Sequence, residues 1–168
     1  MNTDYMIRQL DLNKACFEQQ LKVKTQEEAL FKANADHWCL LQIVCHLVDE
    51  EIEDFRIRVK TALDPTLPFI PIDPEGWAKT RGYMEQDYDS KVAEWLAERE
   101  KSLYWLQSLN GVNWQSSLQH PDLGQLSAYH FLANWVVHDH IHLRQIMKVK
   151  HAYLAHISGQ DLSYAGNW

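Results

Sequence analysis

Apolar residues recur at helical spacing in four long stretches of the chain. In the first, from about Asp4 to Lys24, positions 6, 10, 17 and 21 are apolar and lie four or seven residues apart, which places them on one stripe of a helix. The second runs from an N-cap at Asn34 or Asp36 to about Ala62 and is the most apolar in its first half. That half is therefore expected to lie deepest in the fold.

The third stretch runs from about Gln86 to Leu109, and the fourth from an N-cap at Ser127 to about Lys150. A segment with four prolines, Leu63 to Gly76, separates the second stretch from the third and predicts a long loop. No stretch shows a convincing strand alternation. The pattern predicts an all-α four-helix bundle that forms a single domain over residues 1–168.

Charge and composition exclude several classes of protein. The formal net charge is -7 and no basic block occurs, which argues against a nucleic-acid binder. The chain has no apolar run long enough for a membrane span and no signal-peptide pattern at its start. Its three cysteines include no Cys-x-x-Cys pair, so a disulfide framework is not expected. These features predict a cytoplasmic protein without a membrane partner.

Two histidines in the fourth predicted helix are spaced for metal binding. His138 and His142 lie four residues apart, so their imidazoles sit one above the other on one face. With nine histidines in 168 residues, roughly half of one such pair is expected by chance, and the pair needs further context. His140 points about 200° around the helix and cannot share that face. A complete site requires a third ligand from elsewhere.

His46, in the most apolar helix, is the candidate for that third ligand. A buried imidazole needs a partner, because an unpaired buried polar group costs a few kcal/mol. A hydrogen bond to one carbonyl or carboxylate would satisfy it as well as a metal ion. From spacing and burial alone, a histidine hydrogen-bonded within the core is more common than a metal ligand.

Two segments resemble motifs of the DinB-like (DinB/YfiT) family. Residues 37–51 contain a tryptophan followed eight positions later by a histidine, a leucine and acidic residues, like the second helix of that family. Residues 138–146 resemble its C-terminal motif, histidine-x3-histidine followed closely by Gln-Ile. Residues 72–77 and 120–124 are similar to connecting segments of one branch. The resemblance implies an up-down-down-up bundle, a homodimer, and metal ligands at His46, His138 and His142.

Three neutral imidazoles would leave an open coordination position, as in catalytic sites, and would suit zinc, nickel or iron(II). Glu50 is one turn beyond His46 and is a candidate catalytic residue. It could instead orient the imidazole, and a solvated side chain is the commonest outcome for such a residue. Trp77, Tyr83 and Arg144 are candidates for binding a substrate or cofactor. Ordinary packing is the competing interpretation for the two aromatic residues, and a surface charge for Arg144.

Three functions are consistent with these residues. The first is a metal-dependent enzyme acting on a small molecule, and the resemblance implies either a hydrolase or an S-transferase or isomerase that uses a low-molecular-weight thiol. The second is a non-catalytic metal- or ligand-binding module of a stress response. The third is a helical bundle that holds no metal. Fold and site are expected to transfer within such a family better than the reaction does.

Overall fold

A computed structural model describes residues 1–64 and 66–166, and most of them are helical. The helices in chain order are α1 (Thr3–Gln20), α2 (Gln26–Leu30), α3 (Leu40–Asp49), a π-helical segment (Glu50–Phe55), α4 (Arg56–Leu63), α5 (Pro74–Thr80), α6 (Tyr88–Ser108) and α7 (Ala128–Ser158). Two 3-10 turns occupy Tyr83–Glu85 and Ser163–Ala165. Among these described helices, none combines the length and the apolar content needed to cross a membrane.

Four long helical rods form the bundle: α1, the continuous run from α3 through the π segment to α4, α6, and α7. The α3–α4 run packs on α6 and α7, and α1 packs on the same two helices. The core has two apolar clusters, one around Trp95 and most of α3, the other around Trp135, α4 and the first half of α7. The predicted four-helix bundle is confirmed, and its packing brings α3 and α7 together between the two clusters.

Side-chain caps explain where most of the helices begin. The side chain of Ser127 accepts a hydrogen bond from the His130 N–H, which confirms the predicted start of α7. The predicted N-cap of the second helix at Asn34 or Asp36 is wrong, because α3 follows Cys39. Asn34 Oδ1 instead accepts from the backbone N–H groups of Asp36 and His37, which closes a turn before the helix.

The structure contains a short antiparallel hairpin that the sequence pattern did not predict. Ser117–His120 pairs with Gly124–Ser127, and Gly124 takes a positive φ of 74° at the turn. Strands of four residues are too short to give a clear alternation in sequence. Helix α7 continues to Ser158, beyond the predicted end near Lys150, and stops at Gly159 in the left-handed conformation.

The π segment is the structural feature that most affects the interior. It follows α3 directly, and it places Glu50, Glu51 and Asp54 in buried positions. The wider turn changes which side chains face inward compared with a regular α-helix. Such segments occur frequently at functional sites. In this chain, the π segment brings three acidic side chains into the bundle, and one of them, Glu50, lies close to His46.

Candidate metal centre

The three predicted ligands meet in the interior of the bundle. The Nε2 atoms lie 3.3 Å apart for His46 and His138, 3.2 Å for His46 and His142, and 3.1 Å for His138 and His142. His46 is in the last turn of α3, and the other two are one turn apart on α7. Within the described residues, these three side chains form a group that could hold one metal ion.

The spacing of the three nitrogens suits a divalent cation. Tetrahedral coordination with metal–nitrogen bonds of about 2.0–2.1 Å places two ligand nitrogens about 3.3–3.4 Å apart, close to the observed separations. Burial lowers the pKa of His46 to about 3 and that of His138 to about 2, so both rings are neutral near pH 7. Neutral imidazoles are the form that binds metal.

A hydrogen bond sets the tautomer of His142. Its Nδ1 lies 2.7 Å from Oε1 of Gln145, one turn further along α7. The amide oxygen can only accept, so Nδ1 carries the proton and Nε2 presents its lone pair to the other two rings. Gln145 therefore orients the ring of His142 and fixes its tautomer, as a carbonyl or carboxylate does for many metal-bound histidines.

His46 is held differently, because its Nδ1 has no hydrogen-bond partner among the described residues. Oε1 of Glu50, which is also unpaired, lies 3.9 Å away, beyond hydrogen-bond distance. Burial, with the neighbouring Asp54, raises the pKa of the Glu50 carboxyl to about 8. The structure thus places two unsatisfied polar atoms side by side next to the histidine triad. The catalytic role of Glu50 stays a prediction.

Behind the triad lies a buried ionic cluster formed by Arg99, Glu51 and Asp139. The Arg99 guanidinium donates from both terminal nitrogens to Asp139, at 2.7 and 2.8 Å, and from Nε to Glu51 at 3.0 Å. Asn13 donates to Asp139, and the indole N–H of Trp135 donates to Glu51. The three charged residues are at most 1% exposed. We call them the Arg99 cluster.

A cavity of about 470 Å³ opens onto His46 and His142. The other residues that line it are Ala33, Asp36, His37, Trp38, Pro74, Glu75, Gln145, Lys148, Val149 and Ala152. Its size lies within the usual range for small-molecule sites. Charged side chains of both signs, including Glu75 and Lys148, accompany its apolar walls. The triad is therefore accessible from one side to a small molecule.

The three predicted binding residues are not among the residues that line this cavity. Tyr83 is buried and donates a hydrogen bond to Asp49, Trp77 stacks under the guanidinium of Arg81 at 4.0 Å, and Arg144 is exposed. Their part in binding stays a prediction.

Sequence reasoning missed several of the wall residues. Lys148, Val149 and Ala152 continue the face of α7 that carries Gln145, and helical spacing from His142 was the signal that could have found them. Glu75 and Ala33 come from segments with no comparable periodicity.

The sequence profile of the DinB superfamily matches residues 9–146, most of the chain. The chain belongs to the DinB superfamily. Among solved structures, it is similar to YfiT from Bacillus subtilis, described as a probable metal-dependent hydrolase with an unusual four-helix bundle topology. The TM-score is 0.77 and the identity 22%, and the match covers 95% of this chain and 89% of YfiT. No protein of curated function matches the chain. The fold and the family expected from the sequence motifs are thereby confirmed.

Proposed function

We propose that this DinB-superfamily protein is a metal-dependent hydrolase of a small molecule, with His46, His138 and His142 as ligands. The observation that carries the proposal is the convergence of three Nε2 atoms, 3.1–3.3 Å apart, beside an open cavity that His46 and His142 line. A divalent ion held there would lower the pKa of a water or thiol bound to it. The description of YfiT as a probable metal-dependent hydrolase supports the same reaction class.

The surrounding residues have separate tasks in this proposal. Gln145 fixes the ring of His142 through its Nδ1. Oε1 of Glu50 has no other partner and is one turn from His46. In its ionised form, which prevails above its pKa of about 8, the carboxylate would accept the proton that an attacking water loses. The walls around Trp38 and Val149 hold the apolar part of a substrate and exclude bulk water.

The size of the cavity favours a second candidate reaction. About 470 Å³ has room for a thiol cofactor beside an electrophile, whereas a water nucleophile needs little space. In this variant, the protein is an S-transferase or isomerase that uses a low-molecular-weight thiol.

Zinc, nickel and iron(II) all suit three imidazole nitrogens. A cytoplasmic location and a homodimer, both expected from the sequence, belong to the same proposal, and the dimer is tested by light scattering.

A single assay series tests these reactions. Tag-free protein is loaded with zinc, nickel or iron(II) and offered esters, amides and lactones, first in water and then with bacillithiol, mycothiol or glutathione and an electrophile. The matched variants are His142→Ala and His140→Ala, which change an inward and an exposed histidine of the same helix.

We expect turnover by the wild type and by His140→Ala, and none by His142→Ala. Turnover only with thiols would replace the hydrolase by the transferase. Stoichiometric metal without turnover in any arm would favour a non-catalytic metal-binding module. A wild type that binds no metal would overturn the proposal.

A further inference from the structure

The Arg99 cluster is unusual because it buries three charges where an apolar core would suffice for stability. Moving charges from water into a protein interior costs several kcal/mol per ion, and well-packed apolar residues can often replace a buried ion pair without loss of stability. Arg99 and Glu51 are each 1% exposed and Asp139 is fully buried. Stability alone is therefore a weak reason for the cluster.

The position of its members gives a better reason. Glu51 follows the ligand helix α3 as the second residue of the π segment, five residues after His46. Asp139 lies between the two ligands of α7, next to His138 and three residues before His142. One planar guanidinium, carried by a third helix, bonds to both carboxylates. The two chain segments that carry the ligands are thus tied to the same rigid group.

Hydrogen-bond donors surround the two carboxylates. Every hydrogen bond recorded for Glu51 and Asp139 comes from an N–H group: the Arg99 guanidinium for both, the Trp135 indole for Glu51, and the Asn13 amide for Asp139. Donors on all sides stabilise carboxylates as anions. One guanidinium and two carboxylates leave the Arg99 cluster with one net negative charge, buried beside the histidine triad.

We infer that Arg99 is a positioning residue for the metal centre, holding α3 and α7 at the spacing that lets three Nε2 atoms share one cation. The inference rests on the proposed metal-binding function. The fork geometry of arginine matches two carboxylates at once. Lysine, a point charge on a flexible stem, cannot hold both in the same plane.

The test compares metal affinity in the wild type and four variants without measuring turnover. The variants are Arg99→Met, Arg99→Lys and Glu51→Gln, and the matched control is Arg56→Met. Arg56 pairs with Glu98 between α4 and α6 and contacts neither ligand segment in the recorded hydrogen bonds. Zinc affinity is measured by chelator competition, the coordination geometry by the visible spectrum of cobalt(II), and folding by circular dichroism.

We expect Arg99→Met to bind zinc about 10–100-fold more weakly and to alter the cobalt spectrum, as loss of a supporting group does at other metal sites. Arg99→Lys should fall between that variant and the wild type, Glu51→Gln should weaken binding, and Arg56→Met should bind as the wild type does. If Arg99→Met does not fold, Arg99→Lys and the isosteric Glu51→Gln decide the question.

Wild-type affinity and an unchanged cobalt spectrum in the folded variants would overturn the positioning role, even if their thermal stability falls. That result would leave the proposed function intact. A wild type that binds neither zinc nor cobalt overturns the proposed function itself, so the two failures are distinguishable.

Discussion

Two buried polar clusters share the α3–α4 rod and α7, with Arg99 of α6 added to one of them, and they differ in how well their atoms are hydrogen-bonded. In the Arg99 cluster, both carboxylates accept hydrogen bonds from guanidinium, amide and indole donors. At the triad, three Nε2 atoms face one another, and Nδ1 of His46 and Oε1 of Glu50 have no partner in the described part of the chain.

The comparison distinguishes the cluster that supports the site from the cluster that binds the ion. A saturated polar cluster in a dry interior has one arrangement and resists change, because each lost bond leaves a buried group unpaired. A group with unsatisfied atoms is stable only if something else completes it, and a cation completes three facing nitrogens. We therefore assign the chemistry to the histidine triad, and the Arg99 cluster holds the triad in place.

The largest effect is expected from removing a ligand of the triad. His142→Ala leaves two nitrogens and loses the ring that Gln145 orients, so zinc affinity should fall by at least about a thousandfold, on the order of 4 kcal/mol. His140→Ala is the control on the exposed side of the same helix, and its affinity should match the wild type. Equal zinc binding by both variants would show that the ion is held elsewhere.

A smaller effect, confined to the reaction, is expected at Glu50, whose Oε1 has no hydrogen-bond partner among the described residues. Glu50→Gln keeps the shape of the side chain but cannot accept a proton, so kcat should fall about 10²–10⁴-fold while zinc affinity changes by only a few-fold. Glu53→Gln changes a glutamate of the same π segment that pairs with Arg81 at the surface. A normal kcat in Glu50→Gln would limit Glu50 to a structural role.

The support of His142 by Gln145 should have a moderate effect. Gln145→Leu removes the acceptor of the Nδ1 proton, and zinc affinity should fall about tenfold. Gln145→Glu restores an acceptor with a full negative charge and should bind zinc at least as tightly as the wild type. Identical affinities in all three proteins would mean that the hydrogen bond does not orient the ring.

The last prediction concerns the metal-free protein and its dependence on pH. His46 is buried with a pKa near 3, below the usual value of 6.5, so the unfolded chain binds the extra proton between these two values. The free energy of unfolding should therefore be fully maintained above pH 6.5 and decrease as the pH falls toward 3.

His46→Leu should lower the slope of the free energy of unfolding against pH by up to about 1.4 kcal/mol per pH unit. The measurement is urea unfolding of the metal-free protein at a series of pH values. Equal slopes in the two proteins would show that His46 titrates alike in the folded and unfolded states.

The sequence predicted the helices and the histidines because both have a local signal. Apolar periodicity marks each rod, and the spacing of His138 and His142 together with the Trp38–His46 segment marks the triad. The boundary before α3 was mispredicted because Asn34, a good cap residue, closes a turn instead. The hairpin was missed because its strands are only four residues long.

The Arg99 cluster and the π segment have no such signal. From the sequence alone, Glu51 and Arg99 would be expected on the solvated surface, since most charged residues on amphipathic helices are exposed. Their burial depends on a change of helical register after Asp49 and on packing between three helices that are distant in sequence. Such non-local placement follows from the assembled bundle and cannot be obtained from spacing along one helix.

The most direct test is X-ray absorption spectroscopy of zinc-loaded, tag-free protein together with its zinc content. The account predicts one zinc per chain with three imidazole nitrogens at about 2.0–2.1 Å and a further light-atom ligand, and the loss of that signal in His46→Ala. One zinc per chain with fewer than three imidazoles, or an unchanged spectrum in His46→Ala, would contradict it.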